Sequence, residues 1–188
     1  MKEEDIIKGC IANERNAQET LYRTYSSRMF GVCLRYAPNR DVAHDMLQEG
    51  FIKVFQNLIN FKGQSALSSW MHRIFMTTAI NYLQRKLKTQ FEVSLNESIT
   101  ERDADDISEE EKDHWLNHIS THEALDMVQQ LPEKYRLIIN LYAIEKLKHD
   151  EISVLLNISE SSSRSQLSRA RKLLSEMLQL KLKRKLGL

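Results

Sequence analysis

The sequence predicts an all-α protein: two small helical domains joined by a flexible acidic linker. Three observations carry that prediction. Gly and Pro are scarce, at 5 and 2 in 188 residues, which leaves little room for turns and favours long helices. Apolar residues recur at helical spacing through two blocks, and strand-like alternation persists nowhere. Charge is segregated along the chain. Residues 1–90 hold 13 basic and 8 acidic side chains, residues 91–130 hold 2 and 12, and residues 131–188 hold 12 and 6. The net charge of +1 therefore hides two cationic ends suited to polyanions, and a middle that DNA would repel.

The first block yields three helices. Over 14–37, Leu21, Tyr25, Phe30, Cys33 and Leu34 fall near helical spacing, and Pro38 ends the run. Over 40–59 the pattern repeats with Val42, Met46, Phe51, Val54, Phe55 and Leu58, until Phe61-Lys62-Gly63 breaks it. A third helix is expected from about Ser65 to Lys88, with Leu67, Trp70, Ile74, Ala79 and Leu83 inward. Residues 89–113 lose the period and are acidic and poor in large apolar groups. They bury too little to offset their ordering entropy, so a linker is expected there. Helix resumes near 115–131, and Pro132 suits the first turn of the next helix. The expected domains are 1–88 and 115–188, with 89–114 as linker.

The stretch DEISVLL stops at Asn157-Ile158-Ser159, and a second helix begins after Ser159, whose hydroxyl suits the N-cap. Ile152, Leu155, Leu156, Ile158 and Leu167 have the spacing to pack two helices together as a helix-turn-helix, whose second helix enters the major groove. Ser161, Ser162, Ser163, Arg164 and Gln166 occupy its first two turns, where a recognition helix meets base edges. Arg and Gln can bond bidentately to guanine and adenine. Arg169, Arg171 and Lys172 lie further on, suited to phosphate. The bland alternative is a helical hairpin with a solvated basic face.

Two further sets lie in the first block. Asp41, Asp45, Gln48 and Glu49 sit on a helix beside its apolar stripe. Asp45 and Glu49 are spaced i, i+4, but no nucleophile, His pair or phosphate-cradling loop accompanies them. A docking surface is expected there, and no catalysis. In 61–88 a Gly-containing loop leads into a helix bearing Trp70, His72, Arg73, Tyr82, Arg85, Lys86 and Lys88, a combination that can stack and grip single-stranded nucleic acid. His114, His118 and His122 share a helical face, yet no Cys accompanies them, and neither a metal nor a cofactor is expected. Cys10 and Cys33 form no paired motif and fit a reducing compartment. The start MKEEDIIKGC lacks the apolar core of a signal peptide, and LIINLYAI is too short to span a bilayer. A cytoplasmic protein without membrane insertion is expected.

These blocks, in this order, resemble a bacterial RNA polymerase sigma factor of the extracytoplasmic-function group. The resemblance rests on LYRTYSSRMFGVCLRY, DVAHDMLQEGFIKVFQNLINF and SSWMHRIFMTTAINYLQRK, followed by LPEKYRLIINLY, HDEISVLLNIS and RSQLSRARKLL. It implies that Asp41, Asp45, Gln48, Glu49 and Phe51 belong to the segment that docks on the coiled coil of the polymerase's largest subunit. It implies −10 recognition and melting by Lys62, Gln64, Ser65, Trp70, Arg73, Thr77 and Arg85, and −35 reading by the helix-turn-helix. The implied partners are core polymerase (including its flap), promoter DNA and an anti-sigma factor. Thr77, Asn81 and Gln84 stand where the family usually has Asn, Asp and Arg, and Ser161-Ser162-Ser163 stands for Gly-Thr-Val. The alternative function is a dimeric helix-turn-helix regulator. A regulator would bind duplex operator DNA alone, whereas a sigma factor would need core polymerase.

Overall fold

A computed structural model describes residues 2–91 and 120–186. All regular structure among the described residues is helical. Backbone contacts divide the chain into two units, Met1–Thr89 and Gln90–Leu188. Residues 92–114 of the expected linker, with His114 and His118, lie outside the described residues.

Unit 1 contains α1 (Glu3–Ile11), α2 (Arg15–Tyr36), α3 (Arg40–Asn57), a 3₁₀ turn (Leu58–Asn60) and α4 (Leu67–Phe91). The sequence pattern did not resolve α1, a short helix that buries only Ile6, Gly9 and Cys10. It is pinned from outside, because the Tyr25 hydroxyl donates to Glu3 Oε2 at 2.7 Å. Ala37 closes α2 by donating to the Cys33 carbonyl, and Pro38 cannot extend the helix. Asn39 then caps α3, its Oδ1 accepting the Val42 N–H at 2.9 Å.

The core of unit 1 is built from Leu21, Met29, Val32, Cys33, Tyr36, Met46, Phe51, Val54, Leu58, Leu67, Met71, Phe75, Ile80 and Leu83. This refines the expected stripes. Tyr25, Phe30, Leu34, Trp70 and Ile74 are only half-buried, while Met29, Val32, Met71 and Phe75 take the interior. Phe51 joins α3 to its neighbours, with its ring centroid 4.6 Å from Tyr22 and 5.2 Å, edge-on, from Phe75. Gly50 allows this approach, because a Cβ there would overlap the Phe75 ring. Gly50→Ala should therefore destabilise unit 1 by about 1–3 kcal/mol through overpacking, read as a shift in its denaturation midpoint. An unchanged midpoint would mean that α3 and α4 can move apart freely. Both cysteines are buried, and burial pushes the Cys33 thiol up to about 12, which leaves it protonated and inert.

Unit 2 contains α5 (Thr121–Gln130), α6 (Glu133–Ile139), a π-helical turn (Asn140–Ile144), α7 (His149–Leu156) and α8 (Glu160–Leu186). A reciprocal capping box starts α5: Ser120 Oγ accepts the Glu123 N–H, and Glu123 Oε2 accepts the Ser120 N–H. Pro132 is the N-cap of α6, one position before its first turn. Buried Arg136 donates from Nη1 to the Gln129 carbonyl at 3.0 Å and to its side-chain oxygen at 3.1 Å, which ties α6 to the end of α5. Met127, Leu131, Leu137, Ile138, Leu141, Ile152, Leu167, Ala170 and Leu178 form the core. Asn157 ends α7 in the left-handed conformation at φ 55°, and Ile158 N–H reaches back to the Ser153 carbonyl.

Candidate nucleic-acid interface

The sharp turn at Asn157 brings α8 back across α7. Ser159 fixes where α8 begins: its Oγ accepts the Ser162 N–H at 3.0 Å, and its carbonyl accepts the Ser163 N–H. Buried Ile152 and Leu167 lock the two helices, with Leu155, Leu156 and Ile158 half-buried at the margin. These anchors leave Ser161, Arg164, Arg171 and Lys172 exposed on α8. Ser162, Gln166 and Arg169 are half-buried. The Gln166 amide donates to Ser162 Oγ at 3.0 Å, so a base would have to compete for it. Arg164 is held over the first turn by Glu160 at 3.0 Å.

Ser163 departs from expectation. It is fully buried, and its hydroxyl is 2.9 Å from His149 Nδ1. It therefore faces away from the surface where a base edge would lie. The sequence carried a signal for this, because Ser163 is four residues before Leu167 and shares its face. His149 itself was not singled out from sequence. Its ring stacks on Tyr142, with centroids 4.9 Å apart, and the Arg171 guanidinium lies 5.5 Å from the centre of the Tyr142 ring. Burial lowers the His149 pKa, and the charges of Arg164 and Arg171 lower it further against Glu160 and Asp150.

In unit 1, α3 carries Asp41, Asp45 and Gln48 exposed on one face, with Ile52 exposed one turn further on. Glu49 is held apart from them. Its carboxylate receives Lys53 at 2.7 Å and Arg85 of α4 at 3.2 Å. Burial pushes its pKa up, but Lys53 and then Arg85 outweigh that and hold the carboxyl below its usual range. Phe51, grouped with the docking residues by resemblance, is core and supports α3 from beneath.

The loop before α4 exposes Lys62, Gln64 and Ser65, and Gly63 turns it at φ 68°. On α4, Trp70, Arg73 and Thr77 share a face by helical spacing. Arg73 and Thr77 are exposed, while Trp70 is half-buried with its ring 5.3 Å from Phe61. Arg85 stands apart from this set. With Glu49, Lys53, Asn81 and Gln84 it lines an open notch of about 360 Å³. Among the described residues no His, Cys, Asp and Glu group could hold a metal, and no helix is long and apolar enough to cross a membrane.

The family model described as Sigma-70 region 2 matches residues 21–89, and that described as Sigma-70, region 4 matches residues 121–174. The chain is 27% identical to the RNA polymerase sigma-H factor of Pseudomonas aeruginosa, over 95% of this chain and 94% of that one. It is 26% identical to the ECF RNA polymerase sigma-E factor of Haemophilus influenzae, over 95% and 96%. It is 29% identical to the RNA polymerase sigma factor YlaC of Bacillus subtilis, over 84% and 89%.

Proposed function

This chain belongs to the sigma-70 family, in its extracytoplasmic-function group, and from that premise we propose how its two units divide the work of promoter selection. The chain is a promoter-specific initiation factor for RNA polymerase. Unit 1 docks on core polymerase through Asp41, Asp45 and Gln48 of α3, with Glu49 at the margin, toward the coiled coil of the largest subunit. Its loop and α4, through Lys62, Gln64, Ser65, Trp70, Arg73 and Thr77, hold the opened −10 strand by stacking and phosphate contact. Arg85 begins in an ion pair with Glu49 and joins the −10 contacts only by leaving it. Unit 2 reads the −35 element with α8, where Ser161, Ser162, Arg164 and Gln166 approach bases and Arg169, Arg171 and Lys172 approach phosphates. The group implies polymerase's flap as a contact of unit 2, an anti-sigma factor as a regulator, and a cytoplasmic setting without cofactor or catalysis by this chain.

The observation that carries this reading is that α3 of unit 1 has an exposed acidic face and, separately, α8 of unit 2 has exposed cationic residues. Core polymerase would fix the separation of the two DNA contacts. Two modest contacts then act at high effective concentration as one selective one. The dimeric regulator reading is not favoured, because the family match includes unit 1. Size-exclusion chromatography of the chain with core polymerase tests the docking half: the two should co-elute, and separate elution would remove the basis for the proposal.

A further inference from the structure

We propose that His149 is a positioning residue that couples DNA binding by α8 to the uptake of one proton. The inference rests on the reading of α8 as the DNA-binding helix. His149 opens α7, yet its side chain belongs to α8: Nδ1 meets the buried Ser163 hydroxyl at 2.9 Å, in the first turn of α8. Its ring stacks on Tyr142 of the π-helical turn, and Arg171 lies over the same Tyr142 ring. One imidazole thus contacts the start of α8 directly and the Arg171 position through one aromatic ring.

The charged groups around this imidazole are Asp150 on α7 and Glu160, Arg164 and Arg171 on α8. In the free protein burial first, and then the charges of Arg164 and Arg171, oppose protonation of the imidazole. Arg164 and Arg171 are also the exposed cations placed against DNA. A phosphate at either guanidinium cancels part of the arginines' share of that opposition, while the share due to burial stays. The bound state then holds the proton more tightly than the free state. Linkage therefore requires affinity to rise as pH falls through the bound-state pKa and to level off below the free-state pKa, which lies under the ordinary imidazole value. The Ser163 contact survives the change, because a protonated Nδ1 donates to the serine oxygen. The proton therefore alters charge at the interface without unseating α8.

The test uses holoenzyme reconstituted from core polymerase and the full chain, on a promoter duplex it uses, with affinity followed from about pH 8 to about pH 6. The comparison is with His149→Gln, which can still bond Ser163 but cannot titrate, and with His149→Phe, which keeps the stack on Tyr142. Contributions from core polymerase and from the other histidines cancel between variants. Wild type should tighten by about three- to tenfold more than His149→Gln over this range, within the tenfold per pH unit that one proton allows. Near pH 8 His149→Gln, which loses the stack on Tyr142, and His149→Phe, which loses the Ser163 contact, should each be offset below wild type, and both should lack the extra tightening as pH falls. Identical pH profiles for wild type and His149→Gln would overturn the proton coupling while leaving α8 as the reader. A holoenzyme without promoter preference at any pH would overturn the reading of α8 and the coupling with it. Should His149→Phe fail to fold, the His149→Gln comparison decides alone.

Discussion

Replacing Arg164 and Arg171 together by Ala should lower holoenzyme affinity for a promoter with an intact −35 element by about 10- to 100-fold at moderate salt. The size follows from the contacts each side chain can make. A bidentate bond from Arg to a guanine contributes about 1–3 kcal/mol of discrimination, and each lost phosphate contact removes roughly one from the slope of log affinity against log salt. Arg164→Ala should have the larger effect of the two. Glu160, which Arg164 now neutralises at 3.0 Å, would be left as a bare carboxylate facing DNA. Arg171→Ala should act more evenly across sequences, because its position further along α8 suits phosphate. Both residues are exposed, so folding should be unaffected, and association with core polymerase should be unchanged. Loss of core association in the double variant would show that α8 serves the polymerase rather than the promoter.

Reversing the charge of Asp41 and Asp45 together to Lys should have the opposite pattern. Core association should weaken by about 100-fold or more if these carboxylates face cationic groups on the partner, as the docking proposal requires, because juxtaposed like charges cost several kcal/mol. Both carboxylates are exposed on α3, away from the Phe51–Phe75 packing that holds the helix, so the denaturation midpoint should hold. The same substitution at Glu49 would be a poorer experiment, since it would also break the ion pairs with Lys53 and Arg85. Undiminished binding of the Asp41→Lys, Asp45→Lys protein to core polymerase would move the docking surface off this face of α3.

Much of the fold was legible before any coordinates, for physical reasons that differ by element. The long helices α2, α3 and α4 announced themselves through apolar period and through Pro38 and Gly63. The start of α8 was legible because an N-cap serine is a local device, and Ser159 serves as one. Other features arise only from tertiary contact. The pairing of Arg85 with Glu49 spans α3 and α4, 36 residues apart in sequence, so no local pattern foretells it. The π-helical turn at Asn140–Ile144 leaves no composition signal, yet it places Tyr142 beneath His149. Ser163 was misplaced for a different reason: a serine among serines reads as surface, and its hydroxyl became an inward group only because His149 supplied a partner. Phe51 shows the converse, a residue assigned to a docking face by resemblance although its place in the apolar stripe already marked it as core. The sequence therefore delivered helices and charge patterning well, and side-chain orientation within the sites less well.

Start-site mapping by run-off transcription, on a pool of promoter fragments with and without this chain added to core polymerase, bears most directly on the central claim. The account predicts new, discrete start sites that appear only with the chain, fade with the Arg164 and Arg171 substitutions, and vanish with the Asp41 and Asp45 reversals. The same pattern of starts with and without the chain would contradict it, since two DNA-contacting units spaced by polymerase would then select nothing.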